Sequence, residues 1–175
     1  MEWINVNEAY LDYLRETERR IPKTDYGTNK YKPFFGVLFE VGDLYYVTQV
    51  SHPQDRHKKL KQQKDFYKLF DPDIRGRLIA VVNLNYMFPI PKEQTSPFVK
   101  KNIHTYRTFK TEKEKRLYIS LLNTELKIIN SKYEKIRKNT IKLYQEKINN
   151  PNSKISNRCC DFKLLEEILN KYILV

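Results

Sequence analysis

The sequence predicts an α+β fold, in which a small twisted antiparallel sheet or half-barrel carries an N-terminal helix and long C-terminal helices. Two observations support this prediction. Residues 34–91 are rich in β-branched and aromatic residues and contain the turn dipeptide Gly42-Asp43. Residues 111–148 contain no Gly or Pro, and their apolar residues recur at spacings of three and four. A chain of 175 residues suits one domain, so we expect residues 1–175 to form a single unit.

The N-terminal residues predict a strand followed by a helix. Residues 1–7 are strand-like, and Asn7 is suited to cap a helix that has Glu8 in its first turn. We expect Pro22 to end that helix, because proline cannot continue one. A basic loop, residues 23–33, follows.

The middle of the chain predicts antiparallel strands. Residues 34–50 predict two strands joined at Gly42-Asp43, because glycine readily takes the positive φ of a tight hairpin. Residues 78–90 form one β-branched run that predicts a long central strand. Residues 92–110 predict irregular structure, with a candidate short strand near residues 103–109.

Two helical segments follow. Residues 111–148 predict one long helix whose apolar stripe packs on the sheet. Residues 161–172 repeat the pattern, with Asp161 as the predicted cap. The stripe of the first segment consists of Tyr118, Leu122, Leu126, Ile129, Tyr133 and Ile136.

The chain is strongly basic, with 33 Lys and Arg against 21 Asp and Glu and a formal net charge of +12. This charge favours a polyanionic partner. The 13 Tyr and 9 Phe favour nucleic acid over an anionic membrane, because exposed aromatic rings among basic residues stack on unpaired bases. The alternative is a basic surface that only confers solubility.

The cysteines and the N-terminus predict a cytoplasmic protein. Cys159 and Cys160 are adjacent, so they cannot build an ordinary disulfide framework, and they lack the spacing of a zinc site. We find no signal-peptide pattern and no apolar window of the length of a membrane span, so we expect no membrane partner.

Candidate chemistry concentrates in residues 47–59, VTQVSHPQDRHKK. His52 and His57 do not form a helical i, i+4 pair, and no metal or nucleotide-cofactor motif occurs in the chain. We therefore expect neither a metal nor a cofactor. The remaining groups suit RNA cleavage, because the 2′-hydroxyl of RNA is the nucleophile and the enzyme needs only to move protons and neutralise charge.

In this interpretation His52 acts as general base or acid, and Ser51 binds a phosphate oxygen or orients the nucleophile. Positive charge comes from Lys32, Arg56 or Lys58. The alternative is that Ser51 and His52 only cap a turn.

Predicted contacts with RNA have alternatives of the same kind. The lysines of residues 58–64 either contact RNA or form a solvated helix face. Tyr26 and Tyr31 lie in the basic loop and can stack on bases. Tyr118 fits a helical stripe and is by default a core residue.

The chain carries, in this order, YKPFFGVLFEVGDLYYVTQVSHP, His57, VVNLNYMFPIP, KRLYISLLNTELKIIN and CCDFKLLEE. Together these segments resemble the ToxN/AbiQ family, the endoribonuclease toxins of type III toxin–antitoxin systems. The resemblance extends over most of the chain, from the N-terminal strand and helix to residue 172.

The resemblance implies a MazF/PemK-like twisted antiparallel sheet with added helices, and metal-independent RNA cleavage that leaves a 2′,3′-cyclic phosphate. It implies inhibition by a small RNA antitoxin, made of tandem repeats that the toxin processes and that fold as pseudoknots. Toxin and RNA would form a closed head-to-tail assembly in the bacterial cytoplasm. The substrates would be cellular or phage RNA, cleaved in phage defence by abortive infection.

Carried over by position, the resemblance implies catalytic roles for Lys32, Ser51 and His52. Lys32 matches a lysine before the family's F-[FI]-G strand, and residues 51–54 match a hydroxyl-hydroxyl-Pro-Lys motif. His52 replaces the second hydroxyl, and imidazole is the better base at neutral pH. Gln54 replaces the lysine, so phosphate neutralisation falls more heavily on Lys32 and Arg56.

The family's loop tyrosine aligns with Thr28, which lies between Tyr26 and Tyr31. The predicted RNA contacts are Tyr26, Thr28, Lys30, Tyr31, Gln54, Arg56, His57, Lys58, Lys59 and Tyr118. Two other interpretations stay open: a non-catalytic RNA-binding regulator that uses the same surface, and an interaction module that uses its long helix.

Overall fold

A computed structural model describes residues 1–24 and 31–172 of the chain. Its strands are β1 (Glu2–Val6), β2 (Phe34–Gly36), β3 (Glu40–Val41), β4 (Leu44–Val47), β5 (Val50–Ser51), β6 (Tyr67–Phe70), β7 (Leu78–Val82), β8 (Phe88–Pro91) and β9 (Thr95–Pro97). All of the described strand pairs are antiparallel. They form three three-stranded sheets with the orders β2-β1-β9, β3-β4-β8 and β5-β7-β6.

The α-helices of the described residues are α1 (Glu8–Thr17), α2 (Asp55–Lys59), α3 (Ile103–Tyr106), α4 (Glu112–Ser131), α5 (Tyr133–Asn149) and α6 (Phe162–Tyr172). Antiparallel sheets with an N-terminal helix and long C-terminal helices confirm the predicted α+β class. None of the helices in residues 1–24 and 31–172 combines the length and apolarity that crossing a bilayer requires.

The predicted N-terminal strand and helix cap are confirmed. The side-chain oxygen of Asn7 accepts a hydrogen bond from the backbone N–H of Ala9 at 3.0 Å, at the start of α1. The helix ends at Thr17, well before the predicted end at Pro22. The Glu18 carboxylate accepts a hydrogen bond from the Arg20 backbone N–H, and this local bond competes with a further helical turn.

The predicted hairpin is confirmed at Gly42-Asp43. Val41 pairs with Leu44 across a two-residue turn in which Gly42 has φ +56°. The strands on either side are shorter than predicted. The first divides into β2 and β3 and the second into β4 and β5, so that the same two segments contribute to all three sheets.

The prediction of one long strand over residues 78–90 is wrong. β7 ends at Val82, a 3₁₀ turn spans Leu84–Tyr86, and β8 begins at Phe88 in a different sheet. The Asn83 carbonyl accepts from the Thr48 hydroxyl and from the Tyr86 backbone N–H, and these bonds stabilise the turn between the two strands.

Three further differences concern segments without a clear apolar alternation. The strands β6 and β9 were not predicted, although both pair along their length with a neighbour. The candidate strand near residues 103–109 is wrong, because α3 occupies Ile103–Tyr106.

The C-terminal helices form as predicted, except that residues 111–148 are divided at Lys132. The backbone of Lys132 has φ −116° and ψ 13°, outside the helical region. The apolar stripe continues across the division, because Ile129 and Ile136 are both fully buried. Asp161 accepts from the backbone N–H of Leu164 at 3.4 Å, in agreement with its predicted role as a cap.

Residues 31–36 and 47–51 are brought together by one backbone pair. Phe35 and Thr48 exchange hydrogen bonds of 2.9 and 3.2 Å in an antiparallel bridge. If this antiparallel register is continued by three residues, Lys32 aligns with Ser51. The Gln49 side chain donates to the carbonyls of Lys23 and Lys32, which further fixes the start of β2.

We expect Gly36→Ala to lower the free energy of unfolding by about 1–3 kcal/mol, because overpacking a close contact forces neighbours to move. A Cβ added at Gly36 would lie 2.7 Å from Cγ1 of Val47. Urea denaturation measures the change. The matched control is Gly42→Asn: Gly42 has nothing within 4 Å of an added Cβ, and asparagine tolerates its positive φ. Equal losses in the two variants would refute the close-packing argument.

Candidate functional site

Lys32, Ser51 and His52 line one cleft of about 320 Å³. Lys32 lies just before β2, while Ser51 and His52 lie at the end of β5. The other wall comes from the first strand, the segment after α3 and helix α4, and its lining residues include Trp3, Arg107, Tyr118, Leu121, Leu122 and Glu125. The three residues that the sequence singled out for catalysis are therefore neighbours in space.

Ser51 is held by the turn that follows β7. The Asn83 side-chain amide donates to Ser51 Oγ, and the Asn83 carbonyl accepts from the Thr48 hydroxyl at 2.6 Å. Because Ser51 Oγ accepts the amide hydrogen, its own hydrogen is available to donate to a ligand in the cleft. His52 is exposed beside it.

Lys32 lies near a buried carboxylate, Glu125, on α4. Burial raises the pKa of Glu125 to about 7, and the neighbouring Lys32 charge opposes that rise. Burial lowers the pKa of Lys32, Glu125 opposes this effect and Arg107 adds to it. The cleft therefore contains a buried acid whose pKa lies near neutral pH, beside a half-buried amine.

Sequence reasoning missed Glu125 and Arg107. Glu125 is only 7% exposed and lies on the buried stripe of α4, between Leu122 and Ile129. An acid at a stripe position is a signal that the sequence contains. Arg107 lies in a segment predicted to be irregular, and no pattern there indicates which way its side chain points.

The Arg107 guanidinium lies over the Tyr118 ring, 4.3 Å from its centroid, and 3.8 Å from the Glu114 carboxylate. The Tyr118 hydroxyl donates to the Tyr31 carbonyl at 3.1 Å. Burial raises the pKa of Tyr118 and Arg107 opposes this effect. Arg107 thus supplies a second positive charge at the cleft, held by an aromatic ring.

Tyr31 belongs to an aromatic cluster at the base of the predicted loop. Its ring stacks on Tyr106 at a centroid distance of 5.2 Å and on Phe98 at 6.1 Å, and its hydroxyl donates to Asn5. Both Tyr31 and Tyr118 are thus engaged within the protein, and their contact with RNA bases stays a prediction.

The predicted contacts after Ser51 lie on and before the short helix α2. The backbone N–H of Gln54 donates to Nδ1 of His57 at 3.1 Å, which closes the first turn of the helix. His57 is 6% exposed, and its pKa is lowered by burial and by the charges of Arg56 and Lys68. His57 thus has a structural role as a helix cap. Its contact with RNA stays a prediction.

The basic side chains of α2 differ in whether they form an ion pair. Arg56 and Lys59 are exposed, while Lys58 pairs with Asp55 at 2.8 Å. The helix presents its charges outward next to the exposed His52. Three further predicted contacts, Tyr26, Thr28 and Lys30, lie outside the described residues.

The described residues offer no cluster of three or more His, Cys, Asp or Glu side chains suited to a metal ion. Cys159 and Cys160 are buried thiols. Burial raises the pKa of Cys159 to about 12, so it stays protonated at neutral pH. These thiols belong to the core and do not contribute to the cleft.

Comparison with protein families decides what kind of chain this is. Residues 2–170 match the family described as Toxin ToxN, type III toxin–antitoxin system. The chain belongs to the ToxN family. Endoribonuclease ToxN of Pectobacterium atrosepticum is 24% identical over 98 residues, which are 55% of this chain and 57% of that protein. The match thus spans a little over half the length of this curated relative of the ToxN family.

Solved structures extend the likeness over almost the whole chain. AbiQ, a lactococcal anti-phage endoribonuclease of a type III toxin–antitoxin system, has a TM-score of 0.79 at 20% identity, covering 99% of this chain and 98% of its own. A protein of a bacterial antiviral system regulated by a processed non-coding RNA has a TM-score of 0.78 at 22% identity, with coverages of 95% and 96%. At these identities the likeness shows that this ToxN-family chain shares their fold.

We expect Glu125→Gln to change how stability depends on pH. The folded-state pKa of Glu125, about 7, lies above its ordinary value of 4.5, so the folded protein binds this proton more tightly than the unfolded chain. Its contribution to stability is present below pH 4.5 and is lost as the pH rises to 7. The wild-type free energy of unfolding should fall relative to that of the variant by on the order of 2 kcal/mol between pH 5 and pH 8.

Urea denaturation at the two pH values measures this difference. The matched control is Glu112→Gln, because Glu112 lies on the same helix with a side chain that is 72% exposed. A Glu125→Gln variant with the pH dependence of the wild type would contradict a buried, proton-binding Glu125.

Proposed function

We propose that this ToxN-family protein is an endoribonuclease that cleaves RNA without a metal ion, and that the cleft between β5 and α4 is its active site. The observation that carries the proposal is the convergence of Lys32, Ser51 and His52 with Arg107 in one cleft. Two cations, a hydroxyl donor and an imidazole are the groups that cleavage by the 2′-hydroxyl needs.

In the proposed reaction the scissile phosphate lies between Lys32 and Arg107. Their positive charges neutralise the charge that develops on the non-bridging oxygens of the phosphorane. The Ser51 hydroxyl donates to one of these oxygens, and its orientation is fixed by Asn83. Desolvation of Lys32 strengthens its attraction to the phosphate, because charges interact more strongly away from water.

The proton transfers accompany the exchange of one bond for another. The 2′-oxygen forms a bond to phosphorus as a general base removes its proton, and the bond from phosphorus to the 5′-oxygen breaks as a general acid protonates the leaving group. We assign one of these two roles to His52. The products are a 2′,3′-cyclic phosphate and a 5′-hydroxyl.

Family membership and the named activities of relatives support this function. The relative from Pectobacterium and AbiQ are both named as endoribonucleases. A further structural relative, with a TM-score of 0.75 at 21% identity and coverages of 98% and 96%, is a type III toxin inhibited by a non-coding RNA pseudoknot. We propose that an RNA of this kind, derived from repeats that the toxin processes, inhibits the present protein in a closed head-to-tail assembly.

We also propose that residues 1–175 act as one toxin domain in the bacterial cytoplasm, and that the three sheets form a MazF/PemK-like twisted arrangement. Phage and cellular RNA are the proposed substrates. A tandem-repeat non-coding array directly upstream of the gene would support the RNA antitoxin.

Pure protein incubated with cellular RNA in EDTA should cleave it to fragments with 2′,3′-cyclic phosphate and 5′-hydroxyl ends, identified by mass spectrometry. Cleavage only after addition of a divalent metal would refute the metal-independent mechanism. Binding without cleavage would favour the alternative of a non-catalytic RNA-binding regulator.

We expect Lys32→Ala and His52→Ala each to lower the cleavage rate by roughly 10²- to 10⁴-fold, the range for loss of a proton-transfer or charge-neutralising group. Both should relieve growth inhibition in cells that lack the antitoxin. Matched controls are Lys138→Ala and His104→Ala, which alter exposed residues outside the cleft. Unchanged toxicity of both test variants would refute the site assignment.

A further inference from the structure

A second cavity, of about 420 Å³, has in its lining Asn83, whose side-chain amide donates to Ser51 in the cleft. We name it the arginine cavity, after Arg20, Arg56 and Arg158 in its lining. Asp65, Phe66 and Tyr86 also line it. The residues come from α2, from the segment before β6, from the 3₁₀ turn after β7, and from the segments after α1 and before α6.

A third cavity, of about 400 Å³, adjoins both the arginine cavity and the cleft through shared lining residues. It shares Arg20, Asn83 and Tyr86 with the arginine cavity, and it shares Ser51 with the cleft. The arginine cavity is therefore separated from the cleft by one intervening cavity, whose lining includes Ser51 and Asn83. An RNA strand with its scissile phosphate at Ser51 has neighbouring nucleotides that could occupy this region of the surface.

The charges of the arginine cavity favour a phosphate. Arg56 is exposed and has no carboxylate partner among residues 1–24 and 31–172. Arg158 donates from Nε to Asp65 at 2.8 Å, and its side chain is still 49% exposed. The Arg20 side chain is 39% exposed, donates from Nε and Nη2 to the Glu18 carboxylate, and donates from Nη1 to the Asn157 carbonyl. Each guanidinium has five N–H hydrogens, so Arg20 and Arg158 also keep hydrogens that suit the oxygens of a phosphate diester.

An aromatic side chain in the cavity favours a base in addition to the phosphate. The half-buried Tyr86 ring offers a surface for stacking.

We propose that the arginine cavity is a nucleotide-binding subsite for the same RNA strand whose scissile phosphate lies in the cleft. The arginines hold the phosphate, and the base packs against Tyr86. The subsite rests on the proposed function for the identity of its ligand. It places a binding determinant at a distance from the reacting bond.

Short single-stranded RNA with 2′-O-methyl groups tests the proposal, because it lacks the nucleophile and is not cleaved. We expect Tyr86→Ala to raise the dissociation constant, measured by fluorescence anisotropy, by about tenfold, as for loss of one stacked base. Tyr86→Phe keeps the ring and should restore wild-type binding. A melting curve for each variant shows whether it is folded.

Arg56→Ala should also weaken binding and reduce the slope of log affinity against log salt concentration by about 0.7, the value for one phosphate contact on a single strand. The matched control is Arg137→Ala, an exposed arginine on α5, and no α5 residue lines the three cavities. We expect this control to bind like the wild type.

Two results would overturn the subsite. The first is wild-type RNA affinity in folded Tyr86→Ala and Arg56→Ala. The second is an equal effect of Tyr86→Ala on RNA and on inorganic polyphosphate, which would indicate only an anion site. Failure of the subsite is distinguishable from failure of the proposed function. If only the subsite fails, the wild type still cleaves RNA in EDTA. If only the proposed function fails, the protein binds RNA in a manner that depends on Tyr86 but does not cleave it.

Discussion

The backbone pair between Phe35 and Thr48 is the constraint on which the rest of the molecule depends. Phe35 belongs to a strand of the first sheet, and Thr48 lies between two strands that belong to the other two sheets. One pair of hydrogen bonds therefore connects all three sheets. Lys32 aligns with Ser51 when the register of this pair is continued by three residues. The absence of a side chain at Gly36 allows Val47 to pack closely beside it.

The sequence predicted local features correctly where a single residue determines the backbone conformation around it. Asn7 as a helix cap and Gly42 at the hairpin turn were predicted correctly, because capping and positive φ are decided within a few residues. The strands within residues 78–90 were not predicted correctly, because a β-branched pattern does not reveal where the chain leaves one sheet for another. That departure depends on bonds between Asn83 and Thr48, which are distant in sequence.

The cleft shows the same difference between local and distant information. Lys32, Ser51 and His52 could be grouped from the order of segments. Glu125 and Arg107 could not, since they approach only when α4 and the segment before it pack on the sheets. The net charge of +12 also gave no indication that the cleft holds a buried acid. A phosphate in the cleft would meet this carboxyl group as well as the positive charges of Lys32 and Arg107.

Trp3 gives the cleft a property of practical use. It is the single tryptophan of the chain, it lies at the cleft wall, and its indole N–H donates to the Leu122 carbonyl of α4 at 3.0 Å. Its ring meets Phe35 edge to face, with 5.9 Å between the centroids. The indole therefore joins the sheet whose strand β2 follows Lys32 to the helix that carries Glu125. Its fluorescence is an intrinsic spectroscopic reporter, without any attached label, of whether these two walls keep their distance when a ligand enters between them.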